Sequence, residues 1–127
     1  MNAAPLVTIV TPSFNQGKYL ERTIQSVLLQ DYPNIEYIVI DGGSTDNSVE
    51  IIQKYQDKIS YWVSERDKGQ SDAINKGWRL AKGTYCSYLN SDDALEQGAV
   101  SKVVNSFLAN PDVGVVYGDY TFVDEND

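Results

Sequence analysis

The residues of this chain best suited to chemistry are Asn90-Ser91-Asp92-Asp93, which stand where the strand-forming run Thr84-Tyr85-Cys86-Ser87-Tyr88-Leu89 stops. Asp92 and Asp93 offer hard oxygen donors to a divalent cation such as Mg²⁺ or Mn²⁺, which keeps few protein ligands and takes the rest from phosphate and water. The same four residues also carry helix-capping chemistry, since Ser or Asp accepts free N–H groups of a first helical turn and an apolar helical pattern follows. The second carboxylate favours the ligand reading. One cap uses one side chain, and two neighbouring anions repel unless a cation lies between them.

Three further strand-like runs end in polar residues. Residues 7–11 close at Pro12 in the turn Thr11-Pro12-Ser13-Phe14, residues 35–40 close at Asp41, and residues 59–64 open onto Glu65-Arg66-Asp67-Lys68-Gly69-Gln70-Ser71-Asp72. If the strands are parallel, all these ends emerge along one edge, where ligands of open α/β sheets collect. Asp41 there has two readings. As an acceptor-only group it suits a ribose or base edge, and before Gly42-Gly43 it equally suits an Asx turn.

Helical spacing fills the gaps between these runs. Leu20, Ile24, Val27 and Leu28 recur as an amphipathic stripe that Pro33 and Asn34 interrupt. Val49, Ile52 and Tyr55 predict a second helix, which Ser44, Thr45 and Asp46 can cap. Ile74, Gly77, Trp78 and Ala81 predict a third, with Gly83 as its C-cap. Val100, Val103, Val104, Phe107 and Leu108 predict a fourth before a fifth strand over residues 113–117. Strict βα alternation with apolar strands predicts a Rossmann-like α/β three-layer sandwich, a mostly parallel sheet with helices on both faces and right-handed crossovers. Residues 1–127 read as one compact domain without repeats or linkers.

Composition removes whole classes of function. The chain has 127 residues, 42% of them hydrophobic, with 18 acidic against 10 basic residues and a formal charge of −8. That charge repels a polyanionic backbone and argues against nucleic acid as a partner. With no His and a single Cys, a Ser-His-Asp triad, a Cys-His pair, a His- or multi-Cys zinc site and a disulfide are unavailable. Cys86, mid-strand, reads as a buried small hydrophobe. No apolar run approaches a membrane span and no secretory leader is visible, so the expected compartment is the cytoplasm.

At this point four blocks carry a resemblance. Val7-Thr8-Ile9-Val10-Thr11-Pro12-Ser13-Phe14-Asn15, Asp41-Gly42-Gly43-Ser44-Thr45-Asp46, the segment from Asp67 to Gly77 and Leu89-Asn90-Ser91-Asp92-Asp93 resemble, in order, the amino-terminal half of family 2 glycosyltransferases of the GT-A fold. The resemblance implies an inverting, hexosyltransferase-type transfer from a nucleoside diphosphate sugar, UDP-linked in many members, to an acceptor glycan or lipid-linked sugar in polysaccharide synthesis. It places the nucleoside against Thr11, Pro12, Ser13, Phe14 and Asp41. The loop with Asp67, Gly69 and Asp72 lies beside base and diphosphate. Ser91 and Asp92 meet ribose and diphosphate, and Asp92 and Asp93 hold the cation.

Two departures accompany it. Many relatives have Asp where Asn90 stands, so coordination rests on Asp92 and Asp93. The general base of the family lies well downstream of this half, so it is expected beyond Asp127, and Asp119, Asp124, Glu125 and Asp127 read as a solvated acidic tail. The chain thus reads as a donor-binding fragment of a longer enzyme, peripheral at the cytoplasmic face of a membrane in its full form and inactive alone. An uncovered sheet edge would let a second copy pair with it. A sugar-nucleotidyltransferase is the rival enzyme class, disfavoured because no basic Gly-rich loop follows the first strand. A response-regulator-like or other non-catalytic nucleotide-binding module is the rival outside enzymes, disfavoured because that strand ends in Thr-Pro.

Overall fold

A computed structural model of the chain describes residues 4–124 and Asn126. Eight main elements alternate along it: β1 (Val7–Ser13), α1 (Gly17–Leu28), β2 (Ile35–Asp41), α2 (Ser48–Lys54), β3 (Tyr61–Ser64), α3 (Gln70–Leu80), β4 (Tyr85–Tyr88) and α4 (Ala99–Ala109). The sheet is fully parallel in the order β3-β2-β1-β4. β1, the most β-branched run, lies at its centre and is buried along its whole length.

Alternation of side chains across the pleat divides the core in two. Val7 and Ile9 of β1 and Tyr37 and Val39 of β2 face α1, α2 and α4, which contribute Leu20, Ile24, Val27, Ile51, Ile52, Val100 and Val104. Val10, Ile38 and Ile40 face Ala73 of α3 on the other side. Helices therefore cover both faces, as the alternating pattern requires. Leu20 and Ile24 are fully buried, each worth about 1.5–3 kcal/mol relative to exposure. α3 approaches β1 so closely that a Cβ on Gly77 would lie 2.5 Å from Val10 Cγ1, which explains a glycine in a helix interior.

Several local expectations need correction. Residues 113–117 form no strand: both edges of β1 are taken by β2 and β4, the segment makes no ladder with β4, and Val115 and Tyr117 are 76% and 91% exposed. Cys86 is exposed, not buried, because β4 is a sheet edge that α3 does not cover. Trp78 is also outward, 40% exposed; its Nε1–H donates to the Ser87 carbonyl at 3.1 Å and its ring meets Tyr88 edge-on. In α2, Ile51 enters the core where Val49 was expected. Gly83 is no left-handed C-cap; α3 ends at an extended Ala81. Gly83 instead packs where a Cβ would meet Thr8 Oγ1 at 2.5 Å.

Asn90-Ser91-Asp92-Asp93 cap no helix. They form a turn closed by the Asp93 N–H to the Asn90 carbonyl at 3.0 Å, and α4 starts only at Ala99, behind Gly98. Asp119 and Asp124 are exposed, while Glu125 and Asp127 lie outside the described residues. Among the described residues no helix is long and apolar enough to cross a membrane.

Candidate functional site

The carboxyl ends of β1, β2 and β4 open into one cleft of about 650 Å³. β1 supplies Pro12 and Ser13, followed by Phe14 and Gln16; the turn after β2 supplies Gly42 and Gly43; the β3–α3 connection supplies Arg66, Asp67, Gly69 and Gln70; and the turn after β4 supplies Asn90, Ser91 and Asp92. Ala73 of α3 completes the lining. The mixture is distinctive. An aromatic ring 60% exposed, Phe14, faces the same space as two carboxylates and one guanidinium.

The floor is tied together by side-chain bonds between loops. Asn15, at φ 51°, accepts the Thr45 N–H on its Oδ1 at 2.8 Å, and its own N–H donates to Ser44 Oγ at 2.8 Å. Asp46 receives the Gly17 N–H at 2.8 Å and the Ser48 N–H at 2.9 Å, the first residues of α1 and α2. One side chain thereby satisfies an open donor of two helices. Burial pushes the Asp46 carboxyl up, and the hydrogen bonds from Ser48 and Gly17 outweigh that push and hold it below the ordinary carboxylate value. Its stabilisation is present above the unfolded carboxylate value and is lost as pH falls through the lowered one.

The residues singled out in the sequence separate into two groups. Pro12, Ser13, Phe14, Asp67, Gly69, Ser91 and Asp92 line the cleft. Ser13 Oγ is buried without a hydrogen-bond partner among the described residues. Thr11, Asp41, Asp72 and Asp93 do not line it. Thr11 is fully buried, and its hydroxyl and that of Tyr37 share a hydrogen bond at 2.8 Å. Burial pushes the Tyr37 hydroxyl up.

Asp41 is 0% exposed. Its Oδ2 accepts the Gly43 N–H at 3.1 Å, the Ser44 N–H at 2.8 Å and the Ser64 hydroxyl at 2.8 Å; its Oδ1 accepts the Ser44 hydroxyl at 2.6 Å. That is the Asx-turn reading of the residue, carried to completion, and it commits both oxygens to protein donors. Asp72 accepts the Lys68 N–H at 2.9 Å and lies 3.8 Å from Lys76 Nζ. The Lys68 hydrogen bond, with Lys76 nearby, holds its carboxyl below the ordinary value.

Arg66, Gln16, Gln70 and Gly42 were given no role by sequence reasoning. Among the described residues Arg66 is the only cationic side chain in the lining, and its place in a polar loop between two acidic residues disguised it as ordinary surface. Gln70 at the start of α3 donates its Nε2–H to Asn90 Oδ1, which ties the β3–α3 loop to the end of β4 and engages the side-chain oxygen of Asn90.

Among the described residues no three acidic, Cys or His side chains gather as a ready metal cage. Asp92 and Asp93 are exposed side by side, and neither carboxylate has a partner among the described residues. Thr23 instead holds the Asp93 main chain, its hydroxyl donating to the Asp93 carbonyl at 2.6 Å. Two free carboxylates of this kind suit Mg²⁺ or Mn²⁺, which are bound through one or two carboxylates plus substrate phosphates.

Comparison with known proteins agrees with this geometry. The profile described as "Glycosyl transferase family 2" matches residues 8–127. An uncharacterized glycosyltransferase of Haemophilus influenzae is 39% identical over 123 residues, covering 94% of this chain and 49% of the relative. Glycosyltransferase GlyG of Streptococcus pneumoniae is 35% identical over 125 residues, covering 96% of this chain and 41% of the relative. The chain thus spans half or less of the length of these curated relatives. Among solved structures, the mannosyltransferase PcManGT of Pyrobaculum calidifontis, in complex with GDP-Man and Mn²⁺, superposes with a TM-score of 0.78 at 26% identity, over 88% of this chain and 34% of that one. S. aureus TarS 1–349 in complex with UDP-GlcNAc shares the fold, with a TM-score of 0.76 at 22% identity over 84% of this chain and 32% of that one.

Proposed function

The chain belongs to glycosyl transferase family 2, and from that premise we propose that its cleft binds a nucleoside diphosphate sugar and serves as the donor site of an inverting hexosyl transfer. The acceptor is a hydroxyl of a glycan or lipid-linked sugar. The observation that carries the reading is the convergence of Phe14, Arg66, Asp67 and Asp92 on one cleft at the carboxyl ends of parallel strands.

Each group has a part to play. The exposed Phe14 ring offers a face on which a nucleobase stacks, a contact worth about 1–3 kcal/mol. Arg66 attracts the diphosphate, which a chain of net charge −8 otherwise repels. The ends of β2 and β4 are two strand spacings apart across β1, roughly 10 Å, so a nucleoside laid across β1 has its base near Gly42 and its diphosphate near Asp92.

Asp92, with Asp93 beside it, would hold a divalent cation. When bound, that cation supplies positive charge that stabilises the nucleoside diphosphate as it leaves. The complex of PcManGT with GDP-Man and Mn²⁺ supports this part of the reading. The matched segment covers 49% and 41% of these relatives, and the step that removes the acceptor proton is assigned to sequence outside that segment.

Titration calorimetry of the chain with UDP and GDP, with and without Mn²⁺, tests the proposal. Binding that strengthens at least about tenfold with Mn²⁺ is the expected result. Absence of binding under both conditions would refute a donor site in this cleft.

A further inference from the structure

We infer that helix α1 sets the position of the turn over residues 90–93, and that Thr23, with Ser26 and Gln30, is a positioning residue for the cation this turn would hold. The inference rests on the cation reading of Asp92 and Asp93 given above and adds the residues that aim them.

No regular element stiffens the turn, since β4 ends at Tyr88 and α4 begins only at Ala99. Its support comes from the side. Thr23 and Ser26 stand one turn apart on α1 and share a face, and Gln30 follows just past the helix end. Thr23 is 1% exposed. A hydroxyl inside a helix ordinarily donates to the carbonyl one turn back. Here that carbonyl, of Tyr19, is 3.5 Å away, whereas the Asp93 carbonyl is at 2.6 Å. The stronger bond therefore leaves the helix and ends on the main chain of the turn.

The next two side chains continue the attachment. Ser26 Oγ accepts the Leu95 N–H at 3.1 Å while donating to the Thr23 carbonyl at 2.7 Å. Gln30 donates from Nε2 to the Glu96 carbonyl at 2.8 Å, and its Oε1 accepts the Val100 N–H in the first turn of α4 at 3.2 Å. The connection from Asp93 to Val100 is thus fastened to α1 through its main chain, which leaves the Asp92 and Asp93 carboxylates open. α1 is itself anchored in the core by Leu20, Ile24 and Val27, so the turn is held against a rigid reference. A small divalent cation demands near-ideal ligand geometry, and groups that orient its ligands are typically worth about 10–100-fold in affinity.

The test is calorimetry with UDP and GDP, with and without Mn²⁺, on the unsubstituted protein and on Thr23→Val, Thr23→Ser and Gln30→Ala. Valine keeps the β-branched shape and removes the hydroxyl, whereas serine keeps the hydroxyl. Thr23→Val is expected to lose about tenfold in affinity with Mn²⁺ and to keep its metal-free affinity, and Thr23→Ser to keep the Mn²⁺ gain of the parent. Gln30→Ala, at a half-buried position, is expected to show a smaller loss of the same kind, and it decides the matter if urea unfolding finds Thr23→Val unfolded. An unchanged Mn²⁺ gain in the variants that lose a bond, or an equal loss with and without the metal, would overturn the positioning role while leaving the cation site standing. Binding of the unsubstituted protein that gains nothing from Mn²⁺, or no binding at all, would instead overturn the cation or donor-site reading and this inference with it.

Discussion

Replacing Asp41 by alanine is expected to cost about 3 kcal/mol or more of folding stability, the largest effect of any single change near the cleft. The substitution strips the acceptor from two backbone N–H groups and two hydroxyls, those of Gly43, Ser44 and Ser64. Hydrogen bonds to a charged group are worth about 1.5–3 kcal/mol each, and a buried donor left unpaired adds its own desolvation cost. The turn after β2 and the end of β3 converge on this one carboxylate, so the floor of the cleft loosens with it. Urea unfolding measures the change. A variant as stable as the parent that loses only nucleotide affinity would instead make Asp41 a ligand residue, contrary to its buried setting.

Replacing Asp92 by alanine is expected to act in the opposite way, leaving stability within about 0.5 kcal/mol, as for exposed positions generally, and removing the Mn²⁺-dependent part of nucleotide binding. Asp92 is exposed, and its carboxylate has no partner among the described residues, so the fold loses little. The diphosphate loses the cation's anchor in a chain of net charge −8, and a fall in affinity on the order of a hundredfold, roughly 3 kcal/mol, is expected. Calorimetry of the variant with and without Mn²⁺ measures it. Asp93→Ala should cost less, because Asp93 stands outside the lining. Retained metal dependence in Asp92→Ala would move the cation away from this turn.

The architecture was legible because its signals are local and redundant. The β-branched run of β1, the spacing of Leu20, Ile24 and Val27, and the strict alternation of periods each point to the same sandwich, and the four motif blocks fall at the strand ends where parallel strands must deliver them. Cys86 and residues 113–117 were misjudged for a shared reason. Hydrophobic character reports what a segment could bury, whereas exposure of β4 and of the segment after α4 depends on which neighbours are there to cover them.

The site was legible by position more than by direction. Asp41 and Asp67 look equivalent in a sequence, each an Asp in a glycine-containing turn. The fold separates them: the backbone after Asp41 folds back to donate to its own side chain, whereas Asp67 is carried across Gly42 by the next connection. Asp72 resembled a ligand for the same reason, and its contacts with Lys68 and Lys76 are those of an acidic residue in a helix's first turn. Arg66 was overlooked because one arginine in a charged loop carries no spacing signal.

Paramagnetic Mn²⁺ offers the most direct test of the central claim, that nucleotide and cation share the cleft at the strand ends. In amide NMR spectra of the chain with UDP or GDP, substoichiometric Mn²⁺ should broaden Ser91, Asp92 and Asp93 first, with nucleotide-induced shifts at Phe14, Gly42, Gly43, Asp67 and Gln70. Broadening confined to the exposed acidic positions Asp119 and Asp124, with no shifts around Phe14 and Gly42, would contradict the account.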